Sequence, residues 1–356
     1  MPFFRLRLAS FLLILMACGV RAEQPRDDAL RPPAMLADLP YIAGIAGNDI
    51  VHAGALDSIV RKAVRDRDVA GLNAMETYFR TSRSRLPGGG WELEIFHTTL
   101  QNAFEKRWPD PGSCALSGVD FAKGWAEHDP DQPGPYLAEA AYRLAYAWCI
   151  RGDGPAHSVA KEAWAPFHQN VDAAYEVLTA HADVAKRDPE FYALMERIYT
   201  AQGRDDKTFQ RLLDEASHRE PYYYPIYFTA AWHAMPQWGG TGAEVDRIAR
   251  YAAARTRAQD GAGTYVRVYW SLVNCDCSIE EFLIDRKLLS QAMDDVFKRA
   301  PSDWNAANLA RIACHFREPD LTARQFARGG RKDGADWPDH GEWERCRAFA
   351  ASNSST

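Results

Sequence analysis

Apolar residues in this chain return at helical spacing, segment after segment, over almost its whole length. Leu56, Ile59, Val60, Ala63 and Val64 fall on one face of a 3.6-residue helix. Val69, Leu72, Met75 and Phe79 repeat the pattern, as do Leu93, Phe96, Leu100 and Phe104. Leu137, Ala140, Ala141, Leu144 and Trp148 follow, then Phe191, Met195, Ile198 and Tyr199, then Phe209, Leu212, Leu213 and Ala216. Val245, Ile248 and Ala252 give another face, and Leu288, Ala292, Met293 and Val296 one more. Leu309, Ile312, Ala313 and Phe316 mark a late helix. Period-two alternation, the mark of a half-buried strand, is scarce. The chain is therefore expected to be all-α. Pro87-Gly88-Gly89-Gly90 reads as a flexible turn, Pro109 and Pro111 end one helix, and Arg151-Gly152-Asp153-Gly154-Pro155 stops another. Connections of this length suit antiparallel neighbours. Asp205 or Asp206 is placed to cap the helix containing Phe209.

Successive amphipathic helices raise the question of repeats. Within 190–221, the residues Leu194, Tyr199, Gly203, Phe209, Leu213, Ala216 and Pro221 resemble a tetratricopeptide unit. Phe209 departs from that unit, which has a small residue there. Looser units run from Trp125 to Gly152 and from Pro301 onward, with no strict period. The expected architecture is a set of degenerate tetratricopeptide-like repeats forming an α-solenoid, the alternative being a closed α/α toroid. The phrases Glu220-Pro221-Tyr222-Tyr223-Tyr224-Pro225-Ile226-Tyr227 and Pro236-Gln237-Trp238-Gly239-Gly240-Thr241 resemble an uncharacterised family of exported bacterial helical-repeat proteins. Residues 125–152 and 301–350 share that resemblance. It implies the fold; the family has no assigned activity, so no catalytic residue is carried across.

The first 22 residues read as a signal peptide. Arg5 and Arg7 form a basic start, Leu8 to Ala17 an apolar run too short to span a bilayer, and Val20-Arg21-Ala22 a cleavage site. The alternative is a lipoprotein anchored through Cys18, in the phrase Leu15-Met16-Ala17-Cys18. Residues 23–50 form a Pro/Gly-containing lead-in, 51–350 the helical-repeat domain and 351–356 a disordered tail. Losing the three leader arginines, and no acid, takes the net charge from −6 to −9. An acidic chain gains nothing from counterion release at phosphates, so nucleic acid and anionic lipid are poor partners. The destination is expected to be the periplasm or the outside of the cell. Six cysteines remain there, an even number in an oxidising compartment. Cys314 and Cys346, near opposite ends of the last helical unit, are expected to pair, and Cys114 to pair with Cys149. Cys275 and Cys277 either bridge each other or stay reduced. Their spacing does not suit zinc, and no metal or cofactor is expected.

Catalytic patterns are missing from the sequence: there is no G-x-S-x-G elbow, zinc-binding His-Glu-x-x-His helix or phosphate-binding glycine loop. The histidines are scattered, without partners at ligand spacing. The most distinctive stretch is 221–240, rich in Tyr, Trp and Pro. Two readings of it compete. Its aromatics pack between successive helical units, or Tyr224, Tyr227, Trp232, His233 and Trp238 line a groove for a partner. Trp238, between Pro236 and Gly239-Gly240, is expected in a loop and partly exposed. The leading functional expectation is a noncatalytic module binding a peptide or protein partner in the cell envelope. The alternative is a carbohydrate-active enzyme of helical toroid type, which needs two carboxylates on one cleft.

Overall fold

The apolar stripes become helices in a computed structural model that describes residues 31–36, 49–104, 114–152, 154–273, 282–329, 337 and 340–352. The expected leader, Cys18, Cys275, Cys277 and residues 353–356 lie outside the described residues. Sixteen α-helices are described: α1 (Asp49–Asp66), α2 (Val69–Ser82), α3 (Glu92–Asn102), α4 (Ser117–His128), α5 (Pro133–Arg151), α6 (Lys161–Ala180), α7 (Ala182–Ala185) and α8 (Glu190–Gln202), then α9 (Asp206–Arg219), α10 (Pro225–His233), α11 (Gly242–Asp260), α12 (Gly263–Val273), α13 (Arg286–Arg299), α14 (Asp303–His315), α15 (Pro319–Arg328) and α16 (His340–Ser352). Among the described residues there is no strand; Arg85 and Trp91 form one isolated antiparallel bridge. No described helix is long and apolar enough to cross a membrane. Helix α1 starts at Asp49, inside the segment expected to be lead-in, and Leu36 from that segment is buried in the core.

Local chemistry sets the helix starts. Asp205, not Asp206, caps α9 by accepting the Thr208 N–H at 3.0 Å. Asp285 caps α13 through Leu288 N–H at 2.9 Å, and Ser302 caps α14 through Asn305 N–H at 3.1 Å. Pro133, Pro225 and Pro319 open α5, α10 and α15, where a missing N–H costs nothing. Helices α6 and α12 are among those that gave no clear stripe in the sequence. Helix α6 carries Pro166 near its start, which suggests a break; its first turn is largely exposed, so the freed carbonyl meets water. Helix α12 is rich in Val and Tyr and is buried on nearly every side, so its local preference for strand is overridden by packing.

The helices pack largely in chain order. One series runs α3, α5, α8, α10, α12, α14 and α16, each helix against the next, while α6, α9, α11, α13 and α15 each lie against the two members that flank them. The core fills the space between, with Trp125, Tyr192, Tyr223, Tyr227, Tyr265 and Tyr269 among its largest fully buried side chains. Helices α8 and α9, joined by three residues, are the pair expected to form a repeat unit.

The α2–α3 connector departs from that order, and the glycine run in it is not a flexible turn. The Gly88 carbonyl accepts from Arg267 on α12 at 2.5 Å and from Asn305 on α14 at 3.1 Å. The Gly88 N–H donates to Asp49 at 2.8 Å. A Cβ at Gly88 would run into the Asp49 carboxylate and the Trp304 ring, so the close approach requires glycine. Arg83 pairs with Glu220 at 2.7 Å and Arg85 donates to the Tyr224 hydroxyl at 2.9 Å. These bonds tie the start of the fold to helices far along the chain.

Both expected cysteine pairs are bonded. Cys114–Cys149 has a Cα–Cα distance of 5.9 Å and Cys314–Cys346 one of 5.5 Å. The second pair fixes α16 to α14 across a small separate core of Ala307, Ala310, Phe326, Trp337, Cys346 and Ala350. A core that small holds a helix weakly by itself. Replacing Cys314 and Cys346 together with serine is expected to cost about 3–4 kcal/mol, from the loop entropy returned to the unfolded chain. Hydrogen exchange should show α16 amides losing protection first. Unchanged protection there would refute the expectation.

Candidate functional site

The ends of α5, α6, α8, α9, α10 and α11 surround a groove of about 1620 Å³. Its far wall is shaped by the turn after α10. Pro236 cannot continue a helix, and residues Pro236–Trp238 form a single 3-10 turn instead. The Gly240 N–H then returns to the Met235 carbonyl at 3.2 Å. A Cβ at Gly240 would collide with the Ala234 carbonyl, so this fold-back also demands glycine. It carries Trp238 into the groove.

Four tryptophans meet there. Trp238 sits edge-on to Trp148 with centroids 5.7 Å apart, and tilts against Trp232 at 6.4 Å. Trp148 is edge-on to Phe167, which is edge-on to Trp164. Guanidinium groups lie over these rings. Arg151 stands 5.1 Å above Trp148 and 5.3 Å from Trp164, and donates to the Gly152 and Gly154 carbonyls. Arg204 covers Tyr175 and Tyr199 at 5.4 and 5.7 Å. Such stacking holds a flexible cation in place at low entropic cost.

His233 contributes a defined hydrogen-bonding edge. Its ring stacks on Phe209 with centroids 3.9 Å apart. Thr200 donates its single hydroxyl proton to the Glu196 carbonyl, so at 3.0 Å it accepts from His233 Nδ1–H. Burial pushes the His233 pKa below its usual value, offset in part by Asp206 and Glu244. The neutral ring then offers Nε2 as an acceptor, with the exposed Asp206 carboxylate 4.0 Å away.

Of the five aromatic and histidine residues expected in a groove, Trp232, His233 and Trp238 line it and two do not. Tyr224 is buried, with its hydroxyl taken by Arg85 and its ring under Arg267. Tyr227 is fully buried, and its hydroxyl donates to the Pro221 carbonyl at 2.9 Å. Both sit nearer the start of α10, which faces the connector and the core. Trp238 is half-buried against two other indoles instead of projecting from a free loop, so the packing and groove readings meet in one residue. Its indole N–H has no acceptor among the described residues. Trp238→Ala is expected to cost about 2–3 kcal/mol in urea unfolding, short of the roughly 3–5 kcal/mol of a fully buried tryptophan. A cost near zero would show that the indole cluster adds nothing to the fold.

Trp148, Trp164, Arg151, Arg204 and Arg247 were not part of the sequence expectation. They come from α5, α6, the α8–α9 connection and α11, and no local signal joins them. Two acids stand on the groove wall. Asp206 is exposed, and Glu244 accepts from the cap residue Thr241 at 2.9 Å. Glu190 lies behind the wall with both oxygens engaged, by Arg197 at 2.5 Å, Gln101 at 3.0 Å and Tyr223 at 2.7 Å.

No protein-family model matches the chain, and no curated protein and no solved structure matches it either.

Proposed function

We propose that this protein is a noncatalytic helical-repeat module that works outside the cytoplasm and holds an extended peptide segment of a partner protein in its tryptophan groove. The observation that carries the reading is the groove itself. At about 1620 Å³ it exceeds a small-molecule pocket, and it is walled by indoles and guanidiniums, groups that dominate protein recognition. The two disulfides support work in an oxidising compartment. Export by the leader, and an open solenoid built from the chain-ordered helices, complete the proposal; the resemblance to exported helical-repeat proteins agrees with both. The groove acids support binding over glycoside hydrolysis: one is exposed and the other engages a helix cap.

Selection of random peptides on the purified protein tests this. Selected peptides are expected to quench tryptophan fluorescence. Trp232→Ala should weaken them at least about tenfold, the scale of a 1.4 kcal/mol contact. Lys62→Ala, on α1 and away from the groove walls, should leave them unchanged. Failure to select any peptide, or peptides indifferent to Trp232, would overturn the reading.

A further inference from the structure

The chain as a whole is acidic, with a net charge of −6, yet on the groove wall four arginines outnumber the two carboxylates of Asp206 and Glu244. Four arginines reach it: Arg151, Arg197, Arg204 and Arg247. Arg197 is neutralised by Glu190. The other three are engaged only by neutral groups. Arg151 holds two backbone carbonyls, Arg204 bonds Gln202 at 3.0 Å, and Arg247 bonds Gln210 at 3.0 Å. No carboxylate among the described residues lies within ion-pair distance of any of the three. Arg204 and Arg247 are exposed, and Arg151 is half-buried over two indoles. Cations gathered over low-dielectric aromatic walls focus a positive field into the cleft, and this attracts anions despite the net charge.

We infer that the groove selects an acidic peptide, one with carboxylate side chains interspersed with aromatic or aliphatic anchors. This rests on the peptide-binding reading above. Charge complementarity gives the sign: guanidiniums without a carboxylate partner, Arg151 and Arg204 of them held over aromatic rings, are prepared for bidentate pairing with Asp or Glu side chains. The indole cluster supplies the apolar part, and His233 Nε2 is placed to accept a peptide N–H. A carboxylated glycan shares the charge but fits the walls less well. Sugar platforms need open ring faces; here Trp148 and Trp164 are covered by Arg151, and Trp238 packs edge-on to Trp148 and tilted against Trp232.

The test uses fluorescently labelled random copolymers of Glu and Tyr, and of Lys and Tyr, with polygalacturonate as the glycan probe, titrated into the full protein. The Glu,Tyr copolymer is expected to bind at least about tenfold more tightly than the Lys,Tyr copolymer. Its affinity should fall as salt rises from about 50 to about 500 mM, since exposed guanidiniums are screened. The double variant Arg204→Glu, Arg247→Glu should lose the preference while its melting curve stays near the parent's, because both side chains are exposed. Arg204→Lys, Arg247→Lys should keep the preference with reduced affinity. If library-selected peptides bind but the Glu,Tyr copolymer does not, or binds no better than Lys,Tyr, the acidic inference falls and the groove reading stands. Preferential binding of polygalacturonate overturns the peptide assignment. Binding of none of these polymers or peptides overturns both.

Discussion

Asp188→Asn is expected to cost about 3–5 kcal/mol at pH 7, the scale of breaking a buried ion pair by removing one member. Asp188 is fully buried just before α8. It faces His97 on α3 at 3.0 Å and accepts the Glu190 N–H at 2.8 Å. Burial alone would raise the Asp188 carboxyl, but the His97 charge and hydrogen bond, with help from the Glu190 N–H and Arg80, hold it below its ordinary value. Burial likewise works against the His97 cation, and Asp188 overcomes it, lifting His97 to about 9. Asparagine keeps the shape and the bond from Glu190 but leaves the imidazolium without its counterion. Urea unfolding should show the loss at pH 7 and a smaller one above pH 9, where His97 is neutral in the parent as well. Asp183→Asn, at an exposed position on α7, should stay within about 0.5 kcal/mol of the parent. A loss for Asp188→Asn no larger than for Asp183→Asn would contradict the account.

The second large effect is on pH dependence, and its sign is unusual. Stability is expected to fall as pH rises from about 5 to about 9. Burial first, and then the Asp188 charge, raise the Glu76 carboxyl to about 8. Burial and Glu190 raise Glu94 to about 7. Glu196, with both carboxyl oxygens buried and unpartnered, is pushed well above the usual range by burial. His97 at about 9 shifts the same way. Each of these groups holds its proton more tightly folded than unfolded. Each therefore contributes most below its unfolded pKa, and that contribution is lost as pH climbs through the folded value. Asp188 acts in the opposite sense, but its contribution is lost only in acid, below the window. The slope is about 1.4 kcal/mol per pH unit for each extra proton the folded state holds. Glu196→Gln keeps the shape without an ionisable group, so it should flatten the slope and melt above the parent at pH 8. A parent melting temperature that is flat or rising between pH 6 and 9 would rule this out.

How much of this was legible in the sequence differs from element to element. Helices with one apolar stripe and a polar remainder, such as α1, α9 and α13, could be read directly, because a 3.6-residue period fixes which face is buried. So could the stop at Arg151-Gly152 and, to within one residue, the cap at Asp205, since both act within a turn of their own position. The cysteine pairs followed from the antiparallel return of neighbouring helices. Half of the aromatic groove was visible because Trp232, His233 and Trp238 lie within seven residues of one another. Tyr224 and Tyr227, equally close, were misplaced: which end of a short helix faces the core depends on what packs against it, here the α2–α3 connector. The glycine run at 88–90 looked free for the same reason, since Arg267 and Asn305 lie far along the chain. Glu76 and Glu196 read as ordinary polar positions, yet tertiary packing buries them and reverses the usual pH response. What the sequence determined by itself was whatever depends on neighbours within about two helical turns: helix content, caps and stops. Only the tertiary structure decided which polar groups leave water and which distant arginines and indoles share one cleft, because burial and long-range charge are properties of the packed assembly.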